Sequence, residues 1–68
     1  MPAPHIERML EEGNQLADRI QKLQAFILTN PAYQELVELD QSLLQAQLSA
    51  MTTYLNILNL RLAAKPPA

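Results

Sequence analysis

Apolar positions recur with helical spacing along two stretches of this chain. In the first stretch they form one stripe that lasts for three heptads: Ile6, Met9, Gly13, Leu16, Ile20, Leu23 and Ile27. Residues three and four positions apart share one face of an α-helix, so the stripe predicts an amphipathic helix. The stripe is widened by Leu10, Ala17 and Phe26. We expect this helix to end near Thr29 and Asn30, because Pro31 disfavours helical geometry in the residue before it.

A second long helix is predicted after a short connection. Residues 31–36 (PAYQEL) favour one helical turn, with Asn30 as its N-cap and Pro31 at its first position. The long helix should begin between Val37 and Asp40 and continue to about Leu62. It carries two parallel apolar seams. The first seam is Leu44, Leu48, Met51, Leu55, Leu58 and Leu62, and the second seam is Leu43, Gln47, Ala50, Tyr54, Ile57 and Arg61.

The second helix has no charged side chain between Gln41 and Leu60. Its many amide and hydroxyl groups argue against a membrane span, whereas a solvent-exposed helix would normally carry Lys and Glu on its outer face. One seam can pack on the first helix, and the other needs a further partner. The sequence therefore predicts an all-α fold: an antiparallel helical hairpin with short N-terminal and connecting segments, assembled as a helical homo-oligomer. Residues 1–68 should form one domain with frayed ends at 1–4 and 63–68.

Composition narrows the function. A formal net charge of −2 argues against binding to polymeric nucleic acid, and the absence of cysteine excludes disulfides and thiolate metal sites. The N-terminus lacks the pattern of a signal peptide, so a cytosolic location is the default expectation. His5 is the only histidine, and Glu11 and Glu12 are adjacent and therefore point in different directions. We accordingly expect no catalytic residues, no metal and no cofactor, and hence no enzyme.

A few residues are candidates for ligand binding. Arg8 and Lys22 occupy the same heptad position and either bind phosphate or belong to a solvated face, whereas Arg61 lies in the second seam. Gly13 replaces a large apolar residue, either because a neighbouring helix comes close or because a ligand needs the space. Tyr33 is the better candidate for an exposed stacking face, and Tyr54 is expected in the core with a polar partner for its hydroxyl.

Two sequence words cover nearly all of the predicted hairpin. The first, RM-x-x-E-x-x-x-L-x-x-RI-x-KL-x-x-FI, spans residues 8–27, and the second, Q-x-LL-x-x-QL-x-AM-x-x-Y-x-x-IL-x-x-RL, spans residues 41–62. With their polar positions at Lys22, Gln47, Tyr54 and Arg61, these words resemble the phage anti-CBASS cyclic-oligonucleotide sponges. The resemblance implies a homohexamer in the host cytoplasm that binds cyclic di- and trinucleotides between protomers and sequesters them without cleavage.

The resemblance also implies roles for individual residues. Lys22 matches a phosphate-binding lysine of that family, and Arg61 with Gln24 matches a second pocket, for cyclic trinucleotides. The family stacks an aromatic residue near the N-terminus on a base, and His5 is the only planar side chain available here before Phe26. A different class of function also fits the sequence. The chain could be a helical oligomerisation or adaptor protein whose second seam binds the helix of a partner protein.

Overall fold

The protein is a hairpin of two long helices joined by a short one. The computed structural model describes residues 4–64, which form α1 (Pro4–Thr29), α2 (Pro31–Gln34) and α3 (Glu38–Ala63). The two long helices pack against each other and give an elongated molecule with extents of 51 × 15 × 14 Å. The all-α hairpin is confirmed, and the long helices begin and end where the sequence predicts, whereas the short helix ends at Gln34, two residues before the predicted end at Leu36. The expected frayed ends lie outside the described residues, except at Pro4 and at residues 63–64.

The core of the hairpin is a single layer between the apolar stripe of α1 and the first seam of α3. Met9, Leu16 and Leu58 are buried, and Leu58 has no exposed surface at all. Five partly buried residues pack around these three: Ile6, Ile20, Met51, Leu55 and Leu62. Burying one such side chain contributes about 1.5–3 kcal/mol. The first seam is therefore the surface with which α3 holds α1.

The connection between the long helices begins with a capped turn. Asn30 adopts an extended conformation, and its side-chain oxygen accepts a hydrogen bond of 2.9 Å from the backbone amide of Ala32. This bond satisfies one of the amides that every helix leaves free at its N-terminus. Pro31 follows at the first helical position, where a missing amide hydrogen costs nothing. The N-cap predicted from the sequence is confirmed.

Tyr33 fastens the connection to the start of α3. Its ring is 5% exposed and meets Phe26 edge to face, with 6.1 Å between ring centroids. The Gln45 side chain donates to the Tyr33 hydroxyl over 2.8 Å, and the Gln41 side chain donates to the Tyr33 carbonyl over 2.8 Å. The expectation that Tyr33 is an exposed stacking face is wrong. The turn folds back on α3, so the ring is covered and its hydroxyl is used by α3.

A single copy of the chain leaves much of its apolar surface in water. Its accessible surface is 5343 Å², whereas a compact monomer of this mass would expose about 4,300 Å². Its radius of gyration is 15.5 Å, against about 11 Å for a compact domain of this length. Leu10, predicted to widen the stripe of α1, is 50% exposed because it lies at the margin of the contact with α3. Other large apolar side chains are also exposed: Leu28, Val37, Leu39, Leu43, Tyr54, Ile57 and Leu60.

Candidate functional site

The second seam of α3 lies beside its contact with α1 and is exposed. Leu43, Tyr54 and Ile57 are 57%, 42% and 47% exposed, and the three other members of the seam are exposed as well. Each member precedes a first-seam residue by one position, which rotates it by about 100° around the helix axis. Tyr54 is therefore not part of the core of a single protomer. Its ring lies at the surface, beside the contact between the two long helices.

Tyr54 nevertheless has the polar partner that was expected. Its hydroxyl donates a hydrogen bond across the hairpin to the carboxylate of Glu12 on α1. This hydrogen bond raises the pKa of the Tyr54 phenol, because the negative carboxylate favours the protonated hydroxyl, and the positive charge of Arg61 lowers the same pKa by less. The bond joins a planar side chain on α3 to α1. It fixes the direction in which the exposed ring points.

Several predicted site residues lie on the same side of the hairpin as this hydrogen bond. His5, Arg8 and Glu12 follow one another at helical spacing along α1, and all three are exposed. Arg61 lies two turns beyond Tyr54 on α3, in the same seam. Since Glu12 and Tyr54 are in contact, the two stripes lie side by side. We call this surface the Tyr54 face and define it by these five residues.

Lys22 and Gln24 lie towards the other end of the hairpin. Gly13 on α1 lies level with Leu55 on α3. Because the two helices are antiparallel, Lys22 lies nine residues from this level towards one end of the hairpin, and Arg61 lies six residues from it towards the other end. At 1.5 Å per residue, Lys22 and Arg61 are about 22 Å apart along the hairpin axis. One small ligand cannot reach both side chains within a protomer. Within one copy of the chain, the predicted site residues therefore form two separate groups.

Lys22 is held only loosely in the protomer. Its ammonium group forms an ion pair of 3.0 Å with Asp18 one turn earlier, and the two side chains are 77% and 59% exposed. Exposed pairs of this kind contribute about 0–1 kcal/mol, so a ligand phosphate can displace Asp18 at small cost. Gln24, two residues later, is also exposed. Within one protomer, these two side chains lie at the surface and not in a pocket.

Gly13 lies beside Glu12 and is half-buried under α3. A methyl group added to it would lie 3.8 Å from the Leu55 side chain, which is an ordinary van der Waals contact. The approach of α3 therefore does not require glycine at this position. Of the two explanations that the sequence left open for Gly13, contact with the neighbouring helix of the same hairpin does not account for it.

A shallow open groove of about 440 Å³ lies on the opposite flank of α3, and the sequence patterns did not indicate it. Its walls carry no charged side chain and are formed by Ile27, Gln45, Leu48, Ser49, Thr52 and Thr53. The hydroxyl groups of Thr52 and Thr53 donate to the carbonyl groups of Leu48 and Ser49, at 2.9 and 3.0 Å. These hydroxyls are occupied by their own helix, so the groove offers few groups that could select a ligand.

The sequence patterns did not indicate the role of Glu12, for which they showed only that it cannot form a facing carboxylate pair with Glu11. Matching the stripe of α1 with the first seam of α3 would have placed residue 12 opposite residue 54. Between residues 4 and 64 the structure has no group of three His, Cys, Asp or Glu side chains that could hold a metal ion. In the same part of the chain, no helix is long and apolar enough to cross a membrane.

Comparison with known proteins gives one assignment. No curated protein and no solved structure matches the chain. A sequence model of the family described as Sequestin, a name that fits sequestering proteins, matches residues 3–64 and thus both long helices and their connection. That match covers far more than half of the chain, and the protein therefore belongs to the Sequestin family.

Proposed function

We propose that this protein sequesters cyclic di- and trinucleotide second messengers without cleaving them, and so prevents activation of CBASS effectors in the host cytoplasm. The main support is the family match over residues 3–64, because the family name describes binding and not catalysis. The two sequence words that resemble the anti-CBASS sponges lie within the same range. The proposal assigns phosphate contacts to Lys22 and Arg61, and further ligand contacts to His5, Arg8 and Gln24.

The working form is a homo-oligomer, and we propose a hexamer. The exposed second seam and the excess accessible surface support this, since a chain of this size gains stability by covering such a surface. Within one protomer the exposed candidate cations lie on an open helical surface. A second copy laid along the seam would turn that surface into a pocket with two walls. A cyclic nucleotide, with its phosphates and base faces, suits a pocket that offers cations and planar groups.

The distance between Lys22 and Arg61 supports separate sites for the two classes of ligand. Gln24, which the resemblance pairs with Arg61, lies beside Lys22 in the protomer and would join the Arg61 site only from another copy of the chain. Lys22 lies about 22 Å from Arg61 along the axis of the hairpin, estimated from the helical rise. We assign cyclic dinucleotides to the Lys22 site and cyclic trinucleotides to the Arg61 site. A variant at either residue should then weaken the binding of one class of ligand and spare the other.

The test is native mass spectrometry of the full chain, with and without a panel of cyclic di- and trinucleotides, followed by chromatography of ligand released by heating. We expect one oligomeric mass, a fixed number of ligands per oligomer, and intact ligand after release. Lys22→Ala should weaken dinucleotide binding by about 1.5–3 kcal/mol, the value of hydrogen bonds to charged groups. Arg61→Ala should mainly affect trinucleotides.

Arg19→Ala is the matched control, because it removes the same charge from α1 at a position to which the proposal gives no role. Failure of every cyclic nucleotide to bind the assembled protein would refute the proposal. Capture of a partner protein's helix by the second seam would then favour the adaptor function. Linear product that accumulates with time would instead indicate an enzyme.

A further inference from the structure

The strongest feature that the proposed function leaves unexplained is the ring of Tyr54. It is 42% exposed, although a tyrosine at an apolar seam position would usually be covered. The ring lies on α3 between apolar neighbours of the second seam and the stripe of His5, Arg8 and Glu12 on α1. A planar surface is thus presented on the side of the hairpin where three of the candidate ligand-binding residues lie.

The hydrogen bond to Glu12 holds this ring in place. Because Tyr54 donates to a carboxylate on the other helix, rotation of its side chain would break a charge-assisted bond that spans the hairpin. An exposed tyrosine without such a bond would move among several rotamers and would lose that freedom on binding. Tyr54 is therefore ordered in advance, as a stacking surface should be.

The cations on this side of the hairpin suit a phosphorylated ligand, whereas the charged group in contact with Tyr54 is the carboxylate of Glu12, which repels phosphate. Arg61 lies two turns further along the same seam, about 10 Å away by helical rise. Arg8 and His5 lie on α1, at about the same level along the hairpin axis as Arg61. A nucleotide stacked on the ring could thus place its phosphate towards Arg61.

We infer that Tyr54 is the base-stacking platform of the Arg61 site, and that Glu12 is the positioning residue that holds its ring. This inference rests on the proposed function, since it takes the ligand to be a cyclic nucleotide. It assigns the planar contact to α3 and not to a residue near the N-terminus. Glu12 does not touch the ligand and acts only through the tyrosine hydroxyl.

The experiment uses the full chain with labelled tyrosine rings, titrated with cyclic triadenylate and followed by NMR and calorimetry. The protein has two tyrosines, and buried Tyr33 serves as an internal control. Stacking of a purine should shift the ring signals of Tyr54 strongly and leave those of Tyr33 nearly unchanged. Tyr54→Leu should weaken binding about 5- to 150-fold, which corresponds to the loss of one base–aromatic stack.

Two further variants separate the ring from its hydroxyl. Tyr54→Phe keeps the stacking surface and loses only the bond to Glu12, so it should bind a few-fold more weakly than the wild type and more tightly than Tyr54→Leu. Glu12→Ala, which removes the acceptor of this bond, should resemble Tyr54→Phe. Native mass spectrometry checks that each variant assembles like the wild type.

The outcomes separate this inference from the proposed function. If the wild type binds the trinucleotide but the Tyr54 signals stay still and Tyr54→Leu binds normally, only the stacking role is overturned. Equal loss in Tyr54→Phe and Tyr54→Leu would also overturn it, because the hydroxyl and not the ring would then carry the contact. If the wild type binds neither this ligand nor any other cyclic nucleotide, the proposed function fails and the inference falls with it.

Discussion

Replacing Gly13 with alanine should stabilise this protein, although the residue lies under a packed helix. Glycine within a helix costs about 1 kcal/mol relative to alanine. The added methyl group would meet the Leu55 side chain at 3.8 Å, so no clash offsets this gain. For a domain of this size, 1 kcal/mol shifts the Tm by roughly 4–8 °C. We therefore expect Gly13→Ala to unfold several degrees above the wild type.

The assay is thermal unfolding followed by circular dichroism at several protein concentrations, because self-association makes the Tm depend on concentration. Ala17→Gly is the matched control, since Ala17 is also half-buried, lies one turn further along α1, and should lower stability by about the same 1 kcal/mol. A lower Tm for Gly13→Ala would refute the reasoning. It would show that Gly13 has a close contact with a group other than α3, and that this contact is absent from a single protomer.

The same variant tests why glycine is present. Since α3 of the same hairpin does not require glycine, two explanations remain: close approach of a helix from another copy of the chain, or space for a ligand. On the ligand explanation, Gly13→Ala should gain thermal stability and lose affinity for cyclic nucleotides, as measured by calorimetry. If the variant is more stable and binds every cyclic nucleotide as tightly as the wild type, glycine is not needed at this position to make space for a ligand.

Two other predictions concern the core and the bond across the hairpin. Leu58→Ala should lower the free energy of unfolding in urea by about 2–5 kcal/mol, because Leu58 is fully buried. Leu60→Ala, at a 68% exposed position, should lower it by less than about 0.5 kcal/mol. Similar losses in the two variants would place the core elsewhere. In a Tyr33→Phe background, the absorbance of tyrosinate during a pH titration reports Tyr54 alone. The midpoint of that titration should lie above pH 10.0 and should be lower when Glu12→Gln is added. Because the folded-state pKa is raised, the bond should stabilise the fold below pH 10 and lose that effect as the pH rises through the raised pKa; identical midpoints would contradict the bond.

The hairpin could be predicted from the sequence because its signals are local and agree with one another. The stripe of α1 and the first seam of α3 have the period of a helix, and Asn30 and Pro31 mark the boundary between two helices. Each long helix also has only one possible partner within the chain. These conditions were sufficient to place the ends of the long helices within about a residue of the bounds observed, whereas the short helix ends two residues earlier than predicted.

The environments of the two tyrosines could not be predicted in the same way. Both predictions depended on which side of a helix is covered, and helical period does not decide between adjacent seams. Tyr33 is buried because the connection folds back onto Gln41 and Gln45, which is a contact between segments. Tyr54 is exposed because the neighbouring seam, and not its own, takes the contact with α1. Only the register of the two helices settles these points.

The distribution of charge along α3 suggests how assembly and ligand binding can share one small helix. The stretch from Gln41 to Leu60 has no charged residue, so it cannot neutralise the phosphates of a cyclic nucleotide. That charge must come from Arg61 at the end of the helix and from cations on α1. If the oligomer forms along the second seam, the end of the seam near Leu43 is free for contact between copies. Substitutions near Leu43 should then mainly impair assembly, and substitutions near Arg61 should mainly impair binding.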